Sequence, residues 1–354
     1  MRVLITGICG FVGSTLAQAW VEAGRHTVFG IDNLSRAGSH VNRKALRESG
    51  IEVFHGDIRC PADLEALPKV DYVVDAAANP SVLAGVDGRI SSRQIAENNL
   101  VGTLNTLEFC KKHGAGIVLL SSSRVYSIEA LRKLDLEPID NALAPRADCR
   151  FPKGASCAGI AEDFSTAAPV SLYGATKLAS ELLALEYGEA FEIPVWINRC
   201  GILAGARQFG HAGQGVVSYW IHAWARTQPL RYLGANGKGH QTRDVLDPVD
   251  LLPLLDQQMD TSDKACDRIF NVGGGVDNAI SLNSLSAWCR ERFGPHDVAA
   301  DTSDRPYDIP WMVLDSARAR QAWNWKPQKG LHMILEEIAD FAERNPQWIE
   351  HCGD

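Results

Sequence analysis

Residues 2–13 read Arg2-Val-Leu-Ile-Thr-Gly7-Ile-Cys-Gly10-Phe-Val-Gly13, an apolar run that leads into three glycines at G-x-x-G-x-x-G spacing. Short apolar and β-branched runs of this kind are typical of a buried parallel strand. The next residues, 14–22, have helical periodicity. A glycine motif between a strand and a helix is the context in which such glycines bind a dinucleotide. Gly7 then permits the tight turn, Gly10 lets the backbone approach a pyrophosphate, and Gly13 lets helix and strand pack closely.

An acidic residue follows the second predicted strand. That strand, residues 27–31, ends at Asp32, which lies 19 residues beyond Gly13. An acid at this place accepts hydrogen bonds from a ribose 2′-hydroxyl and repels a 2′-phosphate, so it favours NAD over NADP. Arg36 in Asp32-Asn-Leu-Ser-Arg36 weakens this preference for NAD, because an arginine can bind the 2′-phosphate of NADP. A plain turn residue is the alternative for Asp32.

Strand and helix patterns continue to alternate along the first half of the chain. Residues 51–55, 71–75 and 117–120 each read as a buried strand, with helical stretches between them. This alternation predicts an α/β protein with a doubly wound parallel sheet of the Rossmann type. The third strand closes with Gly56-Asp57-Ile58, where an adenine ring would lie. Small residues at 76–78 would let the backbone approach the cofactor.

A possible proton-transfer pair lies near the midpoint of the chain. Ser171-Leu-Tyr173-Gly-Ala-Thr-Lys177 places a tyrosine and a lysine on one helix face, about one turn apart. A nearby ammonium favours the phenolate, which provides a proton acceptor near neutral pH. The strand at 117–120 opens onto Ser121-Ser-Ser-Arg-Val-Tyr126, and a serine there points into the ligand crevice of such a sheet. Together these side chains can move a proton from a hydroxyl while a nicotinamide takes the hydride. Taken alone, each motif has a plain alternative, a solvated helix face or a serine-rich turn.

Composition excludes several other classes of protein. The 354 residues carry a net charge of −8, which argues against binding to nucleic acid or to a membrane surface. No apolar run approaches the roughly 18 residues needed to span a bilayer, and we expect a cytoplasmic protein without a signal peptide. The nine cysteines show no Cys-x-x-Cys spacing, and the ten histidines show no i, i+4 pair, so we expect no disulfide framework and no metal site.

These motifs together resemble the extended short-chain dehydrogenase/reductases of the nucleotide-sugar epimerase and dehydratase group, over nearly the whole chain. The resemblance implies NAD as cofactor, Ser122 as the catalytic serine, Tyr173 as the base and Lys177 as its helper. It also implies that Asn99 props the active-site helix. The residues implied for the cofactor site are Gly7, Gly10, Phe11, Val12, Gly13, Asp32, Asn33, Ser35, Arg36, Asp57, Ile58, Ala76, Ala77, Ala78, Asn99, Tyr173 and Lys177. Those implied for a nucleotide-diphosphate sugar are Ser123, Arg124, Arg207, Gln208, Arg243 and Arg305.

Within that group, the sequence is most similar to the CDP-paratose 2-epimerase (tyvelose epimerase) subgroup. The similarity rests on residues 32–36, on the long insertion at 127–171, and on Gly205-Ala-Arg-Gln-Phe209 followed by Gln214-Gly215. Family 4,6-dehydratases and decarboxylases carry a carboxylate just after the catalytic serine, whereas this chain has Ser123 and Arg124 there. The resemblance therefore implies a redox-neutral epimerase. A dehydratase, a decarboxylase or another net oxidoreductase of the family, and a non-catalytic NAD-binding protein, are the alternatives.

The resemblance also implies a division of the chain into two domains. We expect an NAD-binding domain at 1–198 plus 246–272, and a smaller, discontinuous substrate domain at 199–245 plus 273–354. It implies a homodimer formed through the helices at 98–113 and 173–189. From the residues themselves we expect a β-hairpin that joins residues 230–233 to the strand of Arg243, and a last sheet strand that begins at Ile269.

Overall fold

The computed structural model describes residues 1–261 and 266–352, and these form two compact units. The first unit contains Met1–Val125, Ser171–Arg199 and Pro248–Phe270. The second contains Tyr126–Val170, Cys200–Asp247 and Asn271–Asp354. Within the described ranges, no helix is both long enough and apolar enough to cross a membrane.

The secondary structure comprises strands, α-helices and several shorter helical turns. The strands are β1 (Arg2–Thr6), β2 (Thr27–Asp32), β3 (Glu52–His55), β4 (Tyr72–Asp75), β5 (Gly116–Ser122), β6 (Leu136–Ile139), β7 (Ala142–Pro145), β8 (Ala155–Ser156), β9 (Gly159–Ile160), β10 (Val195–Cys200), β11 (Ile202–Leu203), β12 (Leu230–Leu233), β13 (Thr242–Leu246), β14 (Ile269–Val272), β15 (Ala279–Ser281), β16 (Val298–Asp301) and β17 (Trp311–Met312). The α-helices are α1 (Phe11–Glu22), α2 (Ser39–Glu48), α3 (Pro61–Glu65), α4 (Ser92–Ala96), α5 (Gly102–His113), α6 (Ile128–Arg132), α7 (Ser171–Phe191), α8 (Val216–Ala225), α9 (Leu252–Asp260), α10 (Leu282–Phe293), α11 (Ala317–Trp323) and α12 (Leu331–Arg344).

A seven-stranded sheet confirms the predicted Rossmann architecture. Its strand order is β14-β10-β5-β4-β1-β2-β3, and the pairs β1–β2, β1–β4, β2–β3 and β4–β5 are parallel. The predicted strand at Ile269 is its outer member, β14. The central residues Val3, Leu4 and Ile5 are fully buried, because helices cover both faces of a doubly wound sheet. The order reverses between β1 and β4, and at such a point the crevice beyond the strand ends binds ligands.

The second unit is built around short strands and three helices. In it, β13 pairs with β11, β15 and β17, and β12 pairs with β16. The helices α8, α10 and α12 supply one apolar cluster, in which Trp220 and Trp224 are each 2% exposed. Both tryptophans are therefore part of the hydrophobic core of this unit.

The long insertion belongs with the second unit, although the predicted boundaries left it in the first. Its strand β7 lies against β13: the Leu143 amide donates to the His240 carbonyl over 2.8 Å, and the Thr242 hydroxyl donates to the Leu143 carbonyl over 2.6 Å. Farther along, the Ile160 amide donates to the Val313 carbonyl over 2.8 Å. These pairings join residues that are far apart in the sequence, so the local pattern around the insertion does not predict them. Which unit binds cofactor and which binds substrate stays a prediction.

The predicted hairpin before Arg243 is wrong. Strand β12 pairs in parallel with β16, 68 residues farther along, in the register Leu230 with Val298. The intervening Ala235–Gly237 turn is helical and includes Asn236 in the left-handed region. The partner strand could not be read from the local sequence, because its pairing is non-local.

His222 on α8 makes the stability of the second unit depend on pH. Its side chain is 2% exposed, and neither ring nitrogen has a hydrogen-bond partner among the described residues. Burial lowers the pKa of His222 from 6.5 to about 4, so the folded protein holds it neutral. The unfolded chain takes up a proton below pH ~6.5 whereas the folded chain does not. The free energy of unfolding should therefore fall by roughly 3 kcal/mol as the pH drops from about 6.5 to 4.

Urea denaturation of the wild type and of His222→Leu at several pH values between 7 and 4 checks this. The difference between the two proteins should grow in favour of the variant as the pH falls. The variant is needed because Asp244, in the same unit, has the opposite effect on stability. Burial raises the pKa of Asp244 to about 6, so its contribution to the free energy of unfolding increases as the pH falls. Parallel pH profiles for the two proteins would contradict the assignment.

Candidate active site

The glycine loop lies where the strand order of the first unit reverses. Gly7 ends β1 in the left-handed region (φ 66°), and its amide donates to the Ile31 carbonyl over 2.9 Å. Helix α1 begins at Phe11, and no side chain caps its first turn. The exposed amides of a helix N-terminus attract anions, so this turn suits a pyrophosphate. Phe11 and Val12 are its half-buried first residues.

The three glycines differ in what an added Cβ atom would contact. A Cβ on Gly13 would lie 2.5 Å from the Gly7 carbonyl oxygen, and a Cβ on Gly7 would lie 2.8 Å from Ala77 Cα. A Cβ on Gly10 would meet only the Gly7 carbonyl oxygen, at 3.1 Å. Gly13 and Gly7 are therefore required by packing of the backbone, while the space over Gly10 stays open to a ligand.

We expect Gly13→Ala to cost roughly 1–3 kcal/mol of stability, because the added methyl overlaps the loop backbone. Gly10→Ala is the matched control and should unfold close to the wild-type midpoint. Both variants should bind NAD more weakly, since one distorts the loop and the other fills the space that a pyrophosphate needs. Thermal unfolding and NAD titration measure the two effects, and equal stability of Gly13→Ala and wild type would refute the packing argument.

Asp32 holds the glycine loop through its carboxylate. One carboxylate oxygen accepts from the Cys9 amide and the other from the Leu34 amide, each over 2.8 Å. Burial raises the pKa of Asp32, with the two amide bonds acting against that rise. The following residues differ in exposure: Asn33 and Arg36 are half-buried, whereas Ser35 is exposed.

The end of β3 forms a polar cluster around Asp57. Its carboxylate accepts from the Asn33 side chain over 2.9 Å and from Arg59 over 2.6 and 2.9 Å. The Arg59 hydrogen bonds lower the pKa of Asp57 to about 2. Together with Cys60, Glu97 and Val101, Asp57 and Arg59 line a cavity of about 440 Å³. Ile58 is 9% exposed beside them. This cavity can take a flat ring such as adenine.

The segment after β4, with its small residues 76–78, lies against the glycine loop. Ala77 is the residue that a Cβ on Gly7 would strike, and its amide donates to the Thr6 hydroxyl over 3.1 Å. Thr6 in turn donates to Asp75 over 2.6 Å, and Thr103 donates to the same carboxylate over 2.9 Å. Asp75 is fully buried, and these two hydroxyl donors stabilise its carboxylate. Ala76 and Ala78 flank this contact and are half-buried.

Ser122, Tyr173 and Lys177 all belong to the first unit. Ser122 ends β5, and its hydroxyl accepts from the Arg124 amide over 3.2 Å. Tyr173 and Lys177 lie on α7 and are 7% and 2% exposed. The Lys177 ammonium donates to the Leu120 carbonyl on β5 over 2.9 Å. That bond fixes the lysine, and with it one face of α7, to the strand that ends at Ser122.

Asn99 ties α7 to the loop after β4. It lies in a π-helical turn, Glu97–Val101, of a kind that is frequent at functional sites. Its side-chain oxygen accepts from the Asn79 amide over 2.8 Å. Its nitrogen donates to the Asn79 carbonyl over 3.0 Å and to the Thr176 hydroxyl over 3.2 Å. Asn99 thus holds α7 at the residue before Lys177, consistent with the role that the resemblance implied.

A buried ion pair behind the site was missed from the sequence. Glu181 on α7 and Arg199 on β10 are 2% and 5% exposed and pair over 2.7 Å. Glu181 also accepts from the Ser121 hydroxyl over 2.5 Å. Since Ser121 precedes Ser122, this pair holds the end of β5. An acid four residues beyond Lys177, on the same helix face, was the available signal.

The six predicted substrate residues divide between the units. Ser123 and Arg124 follow Ser122 in the first unit, and Ser123 is 8% exposed. In the second unit, Arg207 has a left-handed backbone (φ 69°). The neighbouring Gln208 side chain donates to the Leu203 carbonyl and accepts from Ser218, each over 2.9 Å.

Arg243 and Arg305 form a pair of like charges in the second unit. Arg243 donates to the Thr242 and Ile309 carbonyls, each over 2.7 Å. Burial lowers the pKa of Arg243 to about 10, with Asp308 opposing this shift and the Arg305 cation adding to it. Arg243 is therefore still a cation at neutral pH. Two cations held near each other favour an anion, and guanidinium forks suit phosphate oxygens.

Asp244, next to Arg243, was not recognised as a special residue from the sequence. It is 1% exposed, and the Gly275 amide donates to it over 3.3 Å. A Cβ on Gly273 would lie 2.1 Å from its carboxylate, and a Cβ on Gly201 would lie 2.9 Å from it. The glycines at 201 and 273 thus make room for the Asp244 carboxylate, which backbone amides hold.

The fold and the glycine loop define a Rossmann-type enzyme that uses a nicotinamide dinucleotide. Residues 3–273 match the NAD dependent epimerase/dehydratase family, so the chain belongs to that family. It is 28% identical to CDP-paratose 2-epimerase of Salmonella typhi, over 96% of this chain and 99% of that protein. It is 26% identical to UDP-glucose 4-epimerase of Corynebacterium glutamicum, over 96% and 95%. The structure of UDP-glucuronic acid 4-epimerase from Bacillus cereus, in complex with UDP-glucuronic acid and NAD, has a TM-score of 0.78 at 23% identity, over 97% and 99%.

The family and the predicted cofactor therefore agree, and the chain is an NAD-dependent enzyme of the nucleotide-sugar epimerase and dehydratase type. Dehydratases are also among its relatives: dTDP-glucose 4,6-dehydratase of Salmonella typhimurium is 23% identical over 99% of this chain and 95% of that protein. The family alone does not choose between the two reactions.

Proposed function

We propose that the protein is an NAD-dependent epimerase that inverts one carbinol centre of a nucleotide-diphosphate sugar, with CDP-paratose as the first substrate to test. The observation that carries this proposal is the combination of an intact Ser122, Tyr173 and Lys177 set with the residues that follow Ser122. Ser123 and Arg124 stand there, and neither can act as the carboxylate that removes a proton in an elimination.

The residues of the first unit fit NAD. The open space over Gly10 and the uncapped start of α1 suit a pyrophosphate, and the cavity beside Asp57 suits an adenine. Asp32 keeps lone pairs available for ribose hydroxyls beyond its two amide bonds. When bound, NAD supplies a hydride acceptor that can also return the hydride.

The side chains of α7 and β5 then perform the proton chemistry. Tyr173, as phenolate, takes the proton from the sugar hydroxyl as that carbon is oxidised, and it returns the proton when the opposite face is reduced. Ser122 donates a hydrogen bond to the oxygen that becomes a carbonyl. Lys177, held by the Leu120 carbonyl, provides the positive charge that favours the phenolate and orients the cofactor ribose.

For the second unit, we propose that Arg243 and Arg305 bind the diphosphate of the sugar nucleotide. Burial lowers the pKa of Arg243, the Asp308 carboxylate opposes that shift, and the Arg305 cation adds to it. Guanidinium groups form paired hydrogen bonds with phosphate oxygens, which supports a diphosphate as the occupant. We also propose Arg207 and Gln208 as substrate contacts, as the resemblance implies.

Mass spectrometry of the products tests the proposal. The purified holoenzyme is incubated with a panel of CDP-, UDP-, GDP- and dTDP-sugars, including CDP-paratose. The proposal expects an isomer of unchanged mass and no accumulation of NADH. A product that has lost water or carbon dioxide would favour the dehydratase or decarboxylase alternative, and NADH release would indicate a net oxidoreductase.

We also propose that the protein is a cytoplasmic homodimer, as its family resemblance implies. Helix α7 exposes two leucines on one side: Leu182 is 62% exposed and Leu172 is 37% exposed. Such residues on one long helix suit a self-complementary surface. Light scattering after size exclusion should give twice the chain mass of 38.6 kDa, and Leu182→Glu should shift it towards that of one chain.

A further inference from the structure

Cys9, the residue before Gly10 in the glycine loop, is held through both its backbone amide and its backbone carbonyl. Its amide donates to Asp32 over 2.8 Å, and its carbonyl accepts from the side-chain nitrogen of Asn42 over 3.0 Å. Asp32 ends β2, whereas Asn42 lies on the following helix, α2. Two elements other than the loop itself therefore fix the backbone on either side of the Cys9 Cα atom. Asn42 belongs to no motif that the sequence pattern singled out.

The same amide group of Asn42 also holds the start of α1. Its nitrogen donates to the Ser14 hydroxyl over 3.1 Å, and Ser14 donates to the Phe11 carbonyl over 3.1 Å. Asn42 therefore bridges the residue before Gly10 and the residue after Gly13. The span between those two bonds is the part of the loop whose amides face a pyrophosphate. Because the Cys9 carbonyl can only accept, the nitrogen of Asn42 must be the atom that faces it.

The fold itself gains little from this arrangement. Asn42 is 1% exposed, and its side-chain oxygen has no hydrogen-bond partner within the described parts of the chain. A buried acceptor without a partner costs about as much free energy as one good hydrogen bond contributes. A leucine at this place would remove that acceptor but leave the Cys9 carbonyl unpaired. The expected net effect of such a change on folding is therefore small.

We infer that Asn42 is a positioning residue for the cofactor: it sets the spacing and orientation of the Cys9–Ser14 segment so that the loop amides are preorganised for the pyrophosphate. A preorganised site does not spend binding free energy on ordering its loop. The inference rests on NAD as the cofactor of the family and is independent of which sugar the enzyme accepts.

The test measures NAD affinity and stability together on holoenzyme that has been stripped of NAD and titrated again. Asn42→Asp keeps the shape but has no donor for Cys9 or Ser14, and we expect about a tenfold weaker NAD affinity. Ser14→Ala removes one of the two bonds and should give a smaller loss. Asn198→Asp is the matched control. It is a fully buried asparagine of the same unit that exchanges two hydrogen bonds with Gln258, over 2.8 and 2.9 Å. This control should lose stability but keep wild-type NAD affinity.

Amide hydrogen exchange of the NAD-free proteins provides a second readout. The Cys9 and Ser14 amides should exchange faster in Asn42→Asp and Asn42→Leu than in the wild type, while the β1 amides keep their protection. Unchanged NAD affinity in both Asn42 variants would overturn the inference, as would an affinity loss in Asn198→Asp that matches theirs. Absence of activity on every sugar nucleotide would count against the proposed function but would leave this result unaffected.

Discussion

Replacing Tyr173 by phenylalanine should lower kcat by roughly 10²–10⁴-fold and leave the bound NAD in place. The expected loss follows from the role of the phenol as the group that takes and returns the hydroxyl proton. Tyr173 is 7% exposed, so its ring contributes to packing that phenylalanine preserves. The measurement is turnover of whichever sugar nucleotide the product panel identifies, together with the NAD content of the purified variant.

Tyr187→Phe provides the control, because Tyr187 lies on the same helix and its hydroxyl donates to Glu108 on α5. We expect wild-type turnover from it. Full turnover of Tyr173→Phe would rule out the proton-transfer scheme, and loss of NAD from that variant would mean that the tyrosine acts mainly in cofactor binding.

Glu181→Gln should destabilise the first unit by about 3–5 kcal/mol, because it leaves the Arg199 cation buried without its charged partner. A guanidinium nitrogen of Arg199 lies 2.7 Å from a carboxylate oxygen of Glu181. Because both side chains are at most 5% exposed, water cannot replace the lost carboxylate. Urea denaturation gives the loss as a lower midpoint at unchanged slope.

Two further variants test whether the loss of stability comes from the buried charge rather than from the loss of any ion pair. Lys44→Ala breaks an exposed pair with Glu48, whose side chains are 79% and 67% exposed, and should leave the midpoint unchanged. The double variant Glu181→Leu with Arg199→Met should recover much of the lost stability, since it removes both buried charges. A wild-type midpoint for Glu181→Gln would show that the buried pair contributes little.

The parts of the fold that could be predicted are those that local sequence determines. A strand, a glycine turn and a helix are contiguous, so the positions of Gly7, Gly10 and Gly13 could be read from residues 2–22. Asp32 follows the next strand for the same reason. The alternation of strands and helices predicted a doubly wound sheet, because parallel strands need crossovers of this kind.

Non-local contacts could not be predicted in the same way. The sequence does not distinguish the buried Glu181 from an exposed helical glutamate, because its burial depends on Arg199 from a strand 18 residues away. Strand β12 has a turn after it, which suggested a hairpin, yet it pairs with β16. Asn42 has no local signal at all, since its two bonds reach residues 33 and 28 positions back.

Among the predicted site residues, the structure brings Ser122, Tyr173, Lys177 and Asn99 into one unit with the glycine loop. It describes Arg207, Gln208, Arg243 and Arg305 in the other unit, where positive charge supports the roles of Arg243 and Arg305. The identity of the sugar depends on side-chain shapes that motifs do not specify, and so it stays a matter for experiment.

The central claim is that a hydroxyl-bearing carbon is oxidised and then reduced without net change. The most direct measurement is mass spectrometry of the product formed by the holoenzyme in deuterium oxide, after exchangeable deuterons have been washed back to protons. The account predicts an isomer with the mass of the substrate and no deuterium on carbon, because the hydride that leaves is the one that returns. A product that carries carbon-bound deuterium, or one that has lost water, would contradict it.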